Sequence, residues 1–208
     1  MADPAKMNTI EVFAHYSVVT GVVIGFTLTR VADFLANSVL ARESQSSSSP
    51  RSKEEIVIRF VHCVWLVLVT SLVLQFWYSL TTWAPHLGEA TFGEYCLSLS
   101  SPFLLYVVSV LLCPSGLQGE VKRNDYYLNR AKLFFPFAAM AVLATAIEAV
   151  VILPDQPWNH EKNLFRYVAT GVLLCGAFLR NVWCQLAIAC VMILLFVLYL
   201  IDPLDWLQ

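Results

Sequence analysis

Residues 132–153 read KLFFPFAAMAVLATAIEAVVIL, and after Lys132 a single ionisable side chain, Glu148, interrupts the run. A helix needs about 20 predominantly apolar residues to cross the roughly 30 Å hydrocarbon layer of a bilayer. This stretch has that length and, one carboxyl apart, that composition. On either side of it, the same reading applies to residues 10–32, 56–80, 94–113, 163–179 and 183–201. The expected fold is therefore all-α, a single polytopic bundle with six transmembrane helices spread over residues 1–208. The last two spans share one run, divided at Leu179 to Val182 because Arg180 and Asn181 form its only adjacent polar pair. Unbroken, that run would be about 57 Å long as a helix, which favours a tight hairpin; five spans is the alternative.

Bulk composition agrees. Apolar residues make up 58% of the chain and charged residues 13%, against roughly 25% charge in a soluble domain, and the mean hydropathy is +0.66. A net charge of −2, with no basic patch interleaved with aromatics, sets nucleic acid aside as a partner. Membrane lipids are the expected surroundings. Three helix starts carry capping boxes: Asn8 with Glu11, Ser52 with Glu55, and Thr91 with Glu94. Residues 41–55, with Ser44, Ser46 to Ser49 and Pro50, read as a flexible linker on the cytoplasmic side.

Orientation follows from the basic residues, which cytoplasmic loops carry in excess. Arg30, Arg42, Arg51, Lys53, Arg59, Lys122, Arg123, Arg130, Lys132 and Arg180 fall on one side, and Lys6, Lys162 and Arg166 on the other. Both termini are thus predicted outside the cytoplasm. The aromatic residues fit, with Trp77, Tyr78 and Tyr199 among those of the outer belt and Trp65, Tyr126, Tyr127 and Trp183 at the inner one. The first apolar run is too long, and lacks the closing small residues, for a cleaved signal peptide.

All six cysteines lie within or at the ends of spans and none forms a CxxC pair, so packing is expected of them rather than a disulfide framework or metal site. No metal, cofactor or catalytic motif is recognisable, which argues against an enzyme. Gly21 and Gly25 make a GxxxG pair that lets a helix approach closely, either from the same chain or from a second copy in a homo-oligomer. Ala141 and Ala144 give the fourth span a similar small face, and Pro102 and Pro136 are expected to bend or start their helices.

Ionisable groups at membrane depth point to function, because a charge there is costly unless it meets a partner or water. Glu148 heads the candidates, with a structural pairing to Arg166 or His15 as its plainer reading. Glu11 and His15, four apart and so on one helix face, lie at similar depth with Gln75, Glu94, Ser98 and Arg166, forming a polar layer near the outer end. The plainer reading has Glu11 and Glu94 as caps, Arg166 snorkelling to headgroups and His15 making one structural bond. A second set collects at the cytoplasmic face: Arg30, Asp33, Arg59, His62, Asn129 and Arg130, with Asn181 and Gln185. Its plainer role is interfacial anchoring and interhelix hydrogen bonding; its sharper one is binding anionic lipid headgroups.

The segments VVTGVVIGFTLTRVADFL, LQFWYSLTTW and DYYLNRAKLFF resemble those of a widespread group of small, uncharacterised bacterial membrane proteins. These share a glycine-bearing first helix ending in Thr-Arg, a QFW segment closing the second and a YxxNR-type segment opening the fourth. The resemblance implies a bacterial inner membrane and a six-helix bundle, and carries no catalytic residue over; it adds weight to Arg30, Gln75, Trp77, Asn129 and Arg130. Two functions are then expected alternatives: a small channel or transporter with an outward-facing polar site around Glu148, or a non-transporting module that binds lipid or a partner protein.

Overall fold

The computed structural model describes residues 9–44, 53–87, 91–113, 120–152, 161–179 and 181–201. Those residues form an all-α bundle of helices α1 (Thr9–Ser44), α2 (Lys53–Leu87), α3 (Phe92–Ser98), α4 (Ser100–Leu112), α5 (Glu120–Ile152), α6 (Glu161–Phe178) and α7 (Val182–Ile201). Five stretches are long and apolar enough to cross a membrane: Phe13–Asn37, Ile56–Ser79, Phe92–Leu112, Asn129–Ile152 and Val182–Leu200. Asn163–Phe178 is a shorter apolar helix. The chain is an integral membrane protein.

The helices overrun the apolar segments at several ends. α1 continues to Ser44, and α2 already begins at Lys53, because Ala, Leu, Arg, Lys and Glu are good helix formers in water as well. The linker expected over residues 41–55 is corrected accordingly at both edges, while residues 45–52 lie outside the described ones. Between α6 and α7 the chain turns within a few residues. Asn181 caps α7, its Oδ1 accepting the Trp183 N–H at 2.9 Å, and Gln185 Nε2 donates back to the Leu179 carbonyl at 3.3 Å. Two residues expected as interfacial anchors and hydrogen-bonding groups thus fasten a hairpin.

The middle of the bundle is α5, which packs against α2, α3, α4 and α6. Within its membrane-length stretch 56% is buried inside the protein, against 28% for α1 and 22% for α7, so those two present most of their surface to lipid. Small side chains explain the difference: Ala138, Ala139, Ala141, Ala144, Ala146 and Ala149 are all buried, and they let neighbouring backbones come close. Beneath them Trp65 stands edge-on to Phe134 and Phe135, with ring centroids 5.1 and 5.4 Å away, in the offset arrangement that aromatic quadrupoles favour. Gly21 meets Trp77 of α2, whereas Gly25 has nothing within 4 Å of the place its Cβ would take. Cys113 is buried and Cys184 half-buried, but Cys63, Cys96, Cys175 and Cys190 face outward, which corrects the packing role expected of all six. Hydrocarbon around a membrane helix accepts a thiol as readily as a core does.

Gly176 of α6 supports the α5–α6 contact: a Cβ there would lie 2.8 Å from a ring carbon of Phe135, itself wedged by Trp65 and Phe134. Gly176→Ala is expected to lower stability by about 1–3 kcal/mol through overpacking. Gly171→Ala on the same helix, where a Cβ meets nothing within 4 Å, should be neutral or stabilising by up to about 1 kcal/mol. Thermal unfolding of the two variants in one detergent checks the contrast.

Candidate functional site

The third membrane stretch is interrupted at Leu99. Pro102 has no N–H, so the carbonyl of Ser98, four residues earlier, loses its helical donor. Leu99 keeps right-handed helical dihedrals, φ −83° and ψ −12°, so the ladder breaks while the chain direction is retained. The break lies seven residues from Phe92, about 10 Å along the helix at 1.5 Å per residue. At that depth there is no water to satisfy a stranded backbone group, and each one costs several kcal/mol.

Two side chains from other helices repair it. Tyr16 of α1, fully buried, donates its hydroxyl to the Ser98 carbonyl at 2.9 Å, and its ring stands edge-on to Tyr95 at 5.8 Å. Glu148 of α5, also fully buried, reaches the start of α4. Its Oε1 accepts the Ser101 N–H and the Ser100 hydroxyl, both at 3.1 Å. Leu99 occupies the N-cap position and offers no side-chain cap; Glu148 supplies the missing acceptor from across the bundle. A carboxyl at a helix N-terminus also meets the positive end of the helix dipole.

The repair is incomplete on one side. Glu148 Oε2, Ser101 Oγ and Thr20 Oγ1 are buried and make no hydrogen bond. Ser101 Oγ lies beside the Glu148 carboxyl but outside hydrogen-bonding geometry, and Thr20 Oγ1 stands in the same relation to the Tyr16 hydroxyl. Tyr16 and Arg166 are both within Coulombic reach of the carboxyl. Arg166 of α6 is held by neutral partners, its guanidinium donating to Asn163 Oδ1 at 2.8 Å and to the Tyr199 hydroxyl at 3.0 Å.

Of the polar layer expected from the sequence, Glu148, Ser98 and Arg166 are brought to one region. His15 is not: its side chain is exposed on α1, one residue and therefore about 100° around the helix from buried Tyr16. Gln75 is half-buried on α2 and is not among the described partners of the carboxyl. The Glu11 side chain lies outside the described residues. Glu94 completes the box at the start of α3, where Thr91 N–H donates to Glu94 Oε2 at 2.6 Å and Glu94 N–H to Thr91 Oγ1 at 3.4 Å. The boxes expected at Asn8 and Ser52 begin on residues outside the described ones.

The second expected cluster is centred on one buried imidazole. His62 Nε2 sits 2.8 Å from the Leu112 carbonyl; a carbonyl only accepts, so Nε2 carries the proton. The ring lies between Phe34 at 5.0 Å and Tyr127 at 5.3 Å. Arg30 lies within Coulombic reach of Cys113, and Arg130 stands over the Tyr126 ring at 5.5 Å. Arg59 is half-buried, and Asp33 and Asn129 are exposed. His62 thereby satisfies the last turn of α4 as Glu148 satisfies the first. Among the described residues no three His, Cys, Asp or Glu side chains gather as metal ligands would. Comparison with protein-family models, curated proteins and solved structures finds no match to this chain.

Tyr16 escaped the sequence reading because tyrosine in a membrane helix is an interfacial residue type first; the available signal was Pro102, which guarantees a carbonyl in need of a donor. Tyr16→Phe is expected to cost about 1–3 kcal/mol by stranding that carbonyl. A Pro102→Ala background restores the missing N–H, and there the cost of Tyr16→Phe should fall to the low end of a single hydrogen bond, about 0.5 kcal/mol or less. A double-mutant cycle on unfolding in detergent measures the coupling.

Proposed function

We propose that the protein is a multi-pass protein of a bacterial inner membrane, working as a small channel or transporter through an exchangeable polar site at Glu148. The observation that carries this reading is an enclosed carboxyl at the N-terminus of a helix interrupted within its membrane stretch, with one oxygen engaged and the other unpaired. Many transporters build ion and substrate sites at the ends of broken membrane helices, and an intramembrane carboxyl is by default a candidate functional site. The basic residues Arg30, Arg59 and Arg130 support a cytoplasmic assignment for that end and an outward-facing assignment for the Glu148 end. Bacterial origin rests on the resemblance of the VVTGVVIGFTLTR, LQFWYSL and DYYLNR segments.

A specific observation favours the second reading, a lipid- or partner-binding module without transport: Glu148, Ser101 and Tyr16 are fully enclosed, as a static helix cap would be. In that case the face of α1 carrying Gly25 with exposed Val18, Val22 and Phe26 is where a second copy would sit.

The readings separate in vesicles containing the purified protein and a trapped pH dye, under an imposed potential. Transport of protons or small cations predicts a flux above empty vesicles that falls about tenfold or more in Glu148→Gln, within the range lost when a positioned charged group is removed. The amide keeps the acceptor for Ser100 and Ser101, so the variant should remain folded. A wild-type flux equal to that of empty vesicles for H⁺, Na⁺ and K⁺ would leave the module reading in place.

A further inference from the structure

Three fully enclosed side chains around the break in the third membrane stretch present oxygens that bond to nothing: Glu148 Oε2, Ser101 Oγ and Thr20 Oγ1. They come from α5, α4 and α1. The first two lie beside one another, and the third is linked to them through Tyr16, whose hydroxyl is next to Thr20 and within Coulombic reach of Glu148. We propose that these oxygens are the side-chain ligands of a buried site for a hard monovalent cation, of which Na⁺ is the natural test species. The inference deepens the reading of Glu148 as an exchangeable site and rests on it.

Ligand chemistry selects the class. All three free atoms are oxygens, and oxygen donors suit hard cations; a second anion would face the carboxyl in a low dielectric and be repelled. Both ends of the interrupted helix contribute to the same place. The carbonyl end of α3 closes on Ser98, whose carbonyl takes the Tyr16 hydroxyl, while the N–H end of α4 opens at Ser100 and is met by Glu148 Oε1. Ser101 N–H and the Ser100 hydroxyl bind Oε1 only, which holds the carboxyl in place and leaves Oε2 without a hydrogen bond.

Charge selects the valence. The groups facing the carboxyl are Tyr16 from α1, Arg166 from α6 and, behind Tyr16, Tyr95 from α3; among the described residues no second carboxyl joins them. One bound unit charge neutralises Glu148. A divalent ion would leave an uncompensated positive charge beside Arg166 in hydrocarbon, at the high cost of an unpaired buried charge. Arg166 also sets the affinity: its guanidinium competes electrostatically with the cation, so removing that charge should tighten binding. A role for Glu148 as helix cap alone gives no reason for such an effect. A proton on Oε2 is the competing occupant, and binding should weaken as the pH falls.

The test uses the full chain in lipid nanodiscs, with NaCl replacing choline chloride at constant ionic strength, read by the unfolding midpoint and by equilibrium binding of radioactive Na⁺. Saturable Na⁺ binding with a rising midpoint is expected for the wild type, loss of both in Glu148→Gln, and a drop of about tenfold or more in affinity in Ser101→Ala. Arg166→Gln should bind more tightly, and circular dichroism checks that each variant keeps its helix content. The inference is overturned if the wild type binds no Na⁺, if Glu148→Gln binds it equally well, if the midpoint follows pH without following Na⁺, or if Mg²⁺ stabilises where Na⁺ does not. Na⁺ binding without flux in vesicles would uphold the cation site and reject the transport reading; flux without Na⁺ binding would do the reverse.

Discussion

Pro102 removes one backbone N–H within a membrane stretch, and much of the polar architecture of this bundle answers that removal. The Ser98 carbonyl must be satisfied where no water is available, and only a side chain from another helix can reach it. Tyr16 does so from α1. The same interruption exposes the first N–H groups of α4, and Glu148 takes Ser101 from α5. α1, α4 and α5 are thereby fixed in register around a single point. α1 packs on α4, and α4 on α5, but apolar packing in lipid is weakly directional, since lipid tails compete for the same surfaces. The hydrogen bonds supply what packing lacks, namely a particular rotation and height for each helix.

The far end of α4 follows the same logic. His62 from α2 donates to the Leu112 carbonyl, one of the last-turn acceptors that a helix cannot satisfy internally. α4 is thus held between a carboxyl at its positive end and an imidazole N–H at its negative end, each complementing the helix dipole. With 13 residues it is too short to be stable on its own, and its two caps come from helices distant in the chain. That arrangement ties α2 and α5 to one short helix, and Tyr16 ties α1 to the end of α3 just before it. Movement at the Leu99 break would have to exchange at least the Tyr16 and Glu148 bonds together.

Hydropathy made the architecture legible because span length is a one-dimensional property: a run of apolar residues either reaches across a bilayer or does not. Glu148 stood out for the same reason, as the single charge in residues 133–153, and Pro102 announced a bend. Rotation about the helix axis was the missing quantity. His15 and Tyr16 are adjacent, and choosing His15 for the polar layer required knowing which side of α1 faces α4. Spacing gives relative positions on a helix and leaves its absolute rotation open. The polar residues Asn181 and Gln185 were legible as anchors and hydrogen-bonding groups, but that their partners are Trp183 and Leu179 at the α6–α7 turn is visible only once the turn geometry is known.

Whether Glu148 serves as a cap or as an exchangeable site turns on what a cap needs. An N-terminus requires an acceptor, and Asn, Ser or Thr at position 99 would provide one locally without bringing an ionisable group into hydrocarbon. Glu148 provides the acceptor with Oε1 and retains Oε2, on an ionisable group whose charged form is expensive at this depth. Arg166 does not neutralise it by direct contact, since its guanidinium bonds to Asn163 and Tyr199. The carboxyl is therefore held in position by neutral donors, while Arg166 acts on it only through space. A structural cap has no use for that separation between what positions the group and what compensates it. A site that takes up and releases a cation requires it, because the anchor must stay in place while the occupant comes and goes.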